Sequence, residues 1–358
     1  MKPPFLEYLR EHVVLADGAL GSYLYERGVE RGRNLDLLNL QSPELVFSTH
    51  EEYIRAGSQL IETNTFGANL FKLREVGAEE QVREINRAGA AIAVKAAGHQ
   101  VYVAGSVGPS GINFPLDEEE VSAADIRRAF QEQMTGLIEG GVDLLIVETF
   151  TSLEEILLAI RAAKSVAPQV PLVAQMVFPA RGMTVRGKDA LSCGRTMAGA
   201  GANVVGTNCG RGIDAMVTAV AQMMPLAREG ILLSAFPNAG MPEMVGDRMT
   251  YPAQPAYMAT RAGEMIKLGV HLIGGCCGTN PAHIEEFRSR LKIRPVRIRG
   301  ESQAEPRESS PRQEVEDRPG GFLSSLQPGR LPIIVELDPP THLDVEPVLA
   351  GAVELARA

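Results

Sequence analysis

Short apolar runs alternate along the chain with longer amphipathic stretches. The runs occupy residues 13–19, 59–66, 101–109, 142–150, 171–178, 202–210, 231–240 and 270–278. Each is nearly continuous and rich in Val, Ile and Leu, as a strand buried on both faces of a parallel sheet must be. Between the runs the apolar positions recur at helical spacing. Ser122 with Asp125, and Ser152 with Glu155, stand at the offset of a capping box, and Gly140 and Gly269 close two of the helices. Eight strand signals alternating with helices predict an α/β protein, a (β/α)8 TIM barrel over residues 1–292. An open doubly wound sheet is the alternative. It is weakened because "DGALGS" follows the first run where a G-x-G-x-x-G turn belongs. The long inserts at 111–121 and 179–189 suit loops at the catalytic face of a barrel.

The alternation stops near Lys292. Residues 293–330 are polar and Pro-rich without periodicity, which predicts a linker. Residues 331–358 contain one more apolar run, "LPIIVELDPP", and one helical pattern. A single β-α unit cannot bury its own apolar faces. It reads as the first piece of a second domain, cut short at Ala358.

Composition narrows the function classes. Of 358 residues 45% are hydrophobic, enough for one large domain or two ordinary ones. The net charge of −9 disfavours nucleic acid as a partner. No apolar run approaches ~20 residues and no basic segment precedes one at the N-terminus. The expectation is a soluble, cytoplasmic protein with no membrane partner. Its oligomeric state is left open.

Four cysteines, Cys193, Cys209, Cys276 and Cys277, are too few for a disulfide framework. Neighbouring Cα atoms lie ~3.8 Å apart, whereas disulfides want about 4.4–6.8 Å, so a bond between Cys276 and Cys277 is disfavoured. In a barrel, Cys209 ends the sixth strand and Cys276 and Cys277 end the eighth, at the face where barrel active sites form. Strand neighbours point to opposite faces, so both can face one point only if the backbone bends, which Gly274, Gly275 and Gly278 permit. Three thiolates with an open fourth position make a catalytic zinc site. The alternatives are buried apolar thiols and a structural zinc; Cys193, in a helical segment, is read as buried. A zinc held by three thiolates suits one task well: it takes a substrate thiol as thiolate and leaves it nucleophilic.

The motifs "DGALGS", "ETNTFGAN", "GSVGPSG", "VETF", "GTNCG", "PNAG" and "GGCCGT" stand in order at the strand ends. Over residues 10–292 the sequence resembles the homocysteine S-methyltransferase family. That resemblance implies a (β/α)8 barrel that transfers a methyl group to zinc-bound homocysteine thiolate, giving methionine. It implies Cys209, Cys276 and Cys277 as zinc ligands, and Glu148 and Asp17 as the acids that hold the substrate ammonium. Glu148 ends a buried run, a costly place for a carboxylate without a partner; a structural ion pair is the alternative. Asp17 before Gly18 also fits a simple turn cap. Gly18 and its neighbours are candidates to offer amides to the substrate carboxylate. Asn64, Asn208 and Asn238 are expected to orient loops or neighbouring groups.

The run "IIVELDPP" is similar to the opening strand of methylenetetrahydrofolate reductases, which implies a linked reductase domain beyond residue 358. For the methyl donor, the absence of Trp and the 5% aromatic content disfavour a betaine-type quaternary ammonium. No cobalamin motif is recognisable. The reading is therefore a sulfonium donor, S-methylmethionine or S-adenosylmethionine. Methyltetrahydrofolate or methylcobalamin is the alternative, and a structural-zinc barrel serving a reductase partner is the competing class.

Overall fold

Each apolar run has two faces to bury, one toward the barrel axis and one toward the surrounding helices, and the strands divide their side chains accordingly. The computed structural model describes residues 2–116, 120–245, 248–294 and 296. Its first half runs α1 (Phe5–Glu11), β1 (Val14–Leu15), α2 (Leu20–Glu26), α3 (Leu38–Gln41), α4 (Pro43–Ala56), β2 (Leu60–Glu62), α5 (Leu70–Arg74), α6 (Val82–Ala97), β3 (Tyr102–Val107), α7 (Ala123–Glu139), β4 (Leu144–Phe150) and α8 (Leu153–Val166). It continues with β5 (Leu172–Met176), α9 (Ala190–Gly199), β6 (Val204–Cys209), α10 (Ile213–Arg228), β7 (Leu232–Pro237), β8 (Glu243–Val245), β9 (Arg248–Thr250), α11 (Pro255–Lys267), β10 (Val270–Ile273) and α12 (Pro281–Arg290).

Eight parallel strands pair in the order β1-β10-β7-β6-β5-β4-β3-β2. A parallel bridge between Ala16 and Leu60 joins the two ends. The sheet therefore closes into the predicted (β/α)8 barrel, and the open-sheet alternative falls. Val14, Leu60, Tyr102, Ala104, Leu144, Ile146, Val173, Val204 and Leu272 pack together inside. The intervening Leu15, Ile61, Val103, Leu145, Val147, Ala174 and Val205 pack outward against the helices.

The seam is thin, because β1 has two residues. Gln59 completes it: its main-chain N donates to Leu15 O at 2.7 Å, and its side-chain Oε1 accepts from Leu15 N at 3.0 Å. Gln59 Nε2 also donates to Arg294 O at 2.7 Å.

Local chemistry sets the helix ends. Ser122 and Asp125 form the reciprocal capping box at α7, and Gly140 ends that helix. Ser152 caps α8 by accepting from Glu155 N. Cys193 is fully buried on α9, as expected.

The structure also adds elements. Helix α1 precedes the barrel and contributes Phe5, Tyr8 and Leu9 to the interior cluster at the N-terminal end. The hairpin β8–β9 lies in the connection after β7. The eighth strand ends at Ile273, so Cys276 and Cys277 lie in the following loop rather than on the strand. The linker expected at 293–330 lies outside the described residues except for Ile293, Arg294 and Val296. The β-α unit expected at 331–358 lies wholly outside them. No helix among the described residues is long and apolar enough to cross a membrane.

Candidate functional site

At the C-terminal ends of the strands a cavity of about 490 Å³ opens, with Cys209, Cys276, Cys277, Glu148, Glu62 and Gly18 in its wall. The three cysteines are free, and their sulfurs lie within 4.8 Å of one another, so the group can hold a metal ion.

The loop bends to bring adjacent cysteines to one point. Thr279 N donates to Cys276 O at 3.0 Å, closing a turn around Cys277 and Gly278. Gly278 sits at φ +79°, the left-handed position that a type II turn requires at its third residue. Cys276 N donates to Pro237 O at 2.8 Å, and Cys277 O accepts from Ala239 N at 2.9 Å, so the turn is tied to the end of β7.

Cys209 reaches the same point by a different distortion. It has φ +59°, uncommon for a residue with a side chain. Asn238 secures the bend: its Nδ2 donates to Gly210 O at 2.8 Å and approaches Cys209 Sγ at 3.5 Å. Asn238 Oδ1 is buried without a hydrogen-bond partner.

The sulfurs share hydrogens. Cys209 accepts from Cys276 and Cys277, which holds it far below an ordinary thiol. The same bonds push Cys276 well up, and Cys277, donating to Cys209, is raised to about 11. Tyr251, carried in just after β9, hydrogen-bonds Cys277; burial first, then the nearby thiolates, raise its phenol to about 12.

Glu148 is 6% exposed. Its Oε1 accepts from Ser106 Oγ at 2.6 Å and its Oε2 from Asn208 Nδ2 at 2.9 Å. Burial pushes its carboxyl up to about 7, against the lowering effect of the Ser106 hydroxyl. Asn208 joins the acid to the thiols. Its Oδ1 accepts from Thr149 N at 2.8 Å, and its Nδ2 also donates to Thr149 Oγ1 at 2.7 Å and lies 3.9 Å from Cys276 Sγ. Thr149, at φ +65°, is held in its left-handed conformation by those two bonds.

Asp17 is 1% exposed and stands behind the cavity wall rather than in it. Its Oδ2 accepts from Glu62 N at 3.0 Å, and its Oδ1 has no partner. Burial, with a contribution from the Glu148 charge, raises its carboxyl well above the usual range. Gly18 does line the cavity; a Cβ there would stand 2.7 Å from Thr279 Oγ1 and 3.1 Å from the Tyr53 ring, so only glycine fits. Asn64 also lines the cavity, and its Nδ2 donates to Leu35 O at 2.7 Å.

Sequence reasoning gave no role to Glu62, Ser106 or Tyr251. The first two occupy inward positions on strands β2 and β3, a parity that the two-residue period of those strands already encodes. Tyr251 depends on the hairpin, which short strands concealed.

A barrel with a three-cysteine cluster at its mouth, able to hold a metal, is the class that fold and site define. The family model for homocysteine S-methyltransferase matches residues 14–291, and the chain belongs to that family. Methionine synthases of Mycobacterium leprae and Mycobacterium tuberculosis are each 33% identical to it, over 80% of this chain and 25% of theirs. The chain thus spans about a quarter of the length of the curated relatives it matches. Among solved structures, the homocysteine methyltransferase MmuM of Escherichia coli is similar at 24% identity, covering 78% of this chain and 96% of that one. Its metallated form gives a TM-score of 0.65 and its oxidized form 0.66. At that identity the likeness speaks for the fold.

Proposed function

We propose that this chain is a zinc-dependent homocysteine S-methyltransferase that produces methionine. The observation that carries the reading is the opening of three free thiols and buried Glu148 onto one cavity. Homocysteine bears a thiol, an ammonium and a carboxylate, and the cavity offers chemistry for the first two directly. Cys209, Cys276 and Cys277 are soft donors, and sulfurs ~2.3 Å from a tetrahedral zinc stand about 3.8 Å apart, consistent with the observed clustering. When bound, zinc supplies a fourth position at which a substrate thiol loses its proton and stays nucleophilic.

The chain's own residues do the rest. Glu148 holds the substrate ammonium, positioned by Ser106 and Asn208, and Asp17 supports that pocket from behind. Main-chain groups around Gly18 face the substrate carboxylate. The Asn208 link fixes the distance between the ammonium site and Cys276, and so sets where the thiol arrives. In the transfer, the thiolate sulfur forms a bond to the methyl carbon, and the electron pair of the breaking bond leaves with the donor.

For the donor we favour a sulfonium, S-methylmethionine or S-adenosylmethionine, whose methyl is already activated. One observation favours a second reading. The curated relatives are methionine synthases about four times longer than the matched region, so methyltetrahydrofolate or methylcobalamin, delivered by another part of such a protein, is the alternative. A reductase-like continuation after residue 331 would agree with it, though no reductase activity is assigned to this chain. The test is incubation of zinc-loaded protein with homocysteine and each donor separately, measuring methionine. Methionine from none of them would overturn the proposal; methionine from methyltetrahydrofolate or methylcobalamin alone would overturn only the sulfonium. The structural-zinc class predicts no change in the visible spectrum of cobalt-substituted protein on adding homocysteine, whereas this proposal predicts a clear one.

A further inference from the structure

The strand alternation sorts the acids at the mouth into two groups. On β2, Leu60 points into the barrel, so Glu62, two residues on, shares its side. On β4, Leu144 and Ile146 point inward, and Glu148 continues that row. On β1, Val14 and Ala16 are inward and Leu15 outward, which puts Asp17 in the outward row. The contacts agree. Glu62 and Glu148 both line the cavity, while Asp17 spends one oxygen on Glu62 N at 3.0 Å. Strand β3 separates β2 from β4, and its Ser106 donates to Glu148 and lines the same cavity as Glu62.

Glu62 is also unsatisfied. Its Oε1 is buried with no hydrogen-bond partner. Among the described residues, the basic side chain in the cavity wall is that of Arg33, which is exposed and donates to Gln41 Oε1 at 2.7 Å. Two inward carboxylates with no side-chain cation beside them are costly unless a ligand brings one. An ammonium has three N–H donors and can serve both acids at once.

We propose that Glu62 is a substrate-binding and specificity-determining residue: with Glu148 it forms a two-carboxylate clamp for the α-ammonium of the thiol substrate, and Asp17 is the positioning residue that fixes Glu62 through its main chain. This rests on the proposed homocysteine reading and adds Glu62 to the acids, Glu148 and Asp17, that the sequence resemblance implies for the ammonium. The clamp makes the site selective for amino-acid thiols over thiols that carry a carboxylate alone.

The test is calorimetric titration of the zinc-loaded full chain with homocysteine and with 4-mercaptobutanoate, the same skeleton without the ammonium. Glu62→Gln is expected to weaken homocysteine binding by ~10-fold or more, since it removes a charge-assisted contact. Mercaptobutanoate affinity should be unchanged or improved, and its retention also certifies that the variant is folded and metal-loaded. Glu62→Asp, which keeps the charge on a shorter arm, should fall between wild type and Glu62→Gln. Equal weakening of both thiols, no weakening of either, or Glu62→Asp binding worse than Glu62→Gln would overturn the clamp. Wild-type protein that binds neither thiol would instead overturn the homocysteine reading, and the clamp with it.

Discussion

At the N-terminal end of the barrel, Phe5, Tyr8 and Leu9 of α1 close the interior against Val14, Leu60, Tyr102, Leu144 and Leu272. At the C-terminal end, the same strands open onto sulfurs, carboxylates and amides, several of them without partners. The first end is finished: Phe5 meets Tyr102 edge-on at 5.2 Å, and the Tyr102 hydroxyl donates to Pro3 O at 2.8 Å. The second is left incomplete by the protein alone. Burial that stabilises the closed end is what makes the acids at the open end expensive without a charged partner.

The contrast can be broken at either end. The largest effect is expected from Cys209→Ser or Cys277→Ser, each of which should lose stoichiometric zinc while the barrel stays folded. Metal analysis together with circular dichroism checks both halves; tightly held zinc in either variant would refute the ligand assignment. At the other end, Leu9→Ala should cost about 2–5 kcal/mol of stability. It should leave zinc content and homocysteine affinity as they were, so denaturant melts and calorimetry on one sample decide the matter. Glu148→Gln is milder. Homocysteine should bind ~10-fold or more weakly, because the ammonium loses a charged partner; unchanged affinity would make Glu148 purely structural.

The smallest of these effects concerns pH. Asp36 lines the mouth, accepts from Gly67 N at 3.1 Å, and is pushed by burial from 3.8 up to about 7. Between those values the folded chain holds a proton that the unfolded chain has released. Stability therefore falls as pH rises through the window. Asp17, Glu62 and Glu148 are shifted in the same direction. Asp36→Asn should make stability depend less steeply on pH between about 4 and 7 without abolishing the slope. Melting temperatures across that range test it, and an unaltered slope would count against a buried, protonated Asp36.

The closed end and the open end were unequally legible in the sequence. The eight strands could be read because burial on both faces leaves continuous apolar runs. The caps at Ser122 and Ser152 could be read because their partners are three residues away. The thiols converge because two strand ends of a closed barrel must, so Cys209, Cys276 and Cys277 followed once the barrel was recognised. Helix α1 was missed, although Phe5, Tyr8 and Leu9 have the spacing of one helical face; seven residues are too few for periodicity to stand out. Hairpin β8–β9 escaped for the same reason, and Tyr251 with it. That Glu62 lines the cavity and Asp17 does not turns on which row of an alternating strand each occupies. With β1 only two residues long, that depends on where the strand stops, which no residue in "LADGAL" marks.

Gln59 gives the barrel a latch. From β2 round to β10, main chain pairs with main chain over three or more residues, but at the joint between β1 and β2 an amide side chain supplements the main-chain bonds and grips Arg294 O as well. A hoop opens at its joint first. Gln59→Leu would leave Leu15 N and Arg294 O to find other partners, and amide hydrogens at Leu15 and Leu60 should then exchange sooner than those of β3 to β6. Just beyond that joint lie Asp17 and Glu62, so a loosened latch should be felt first where the two acids stand.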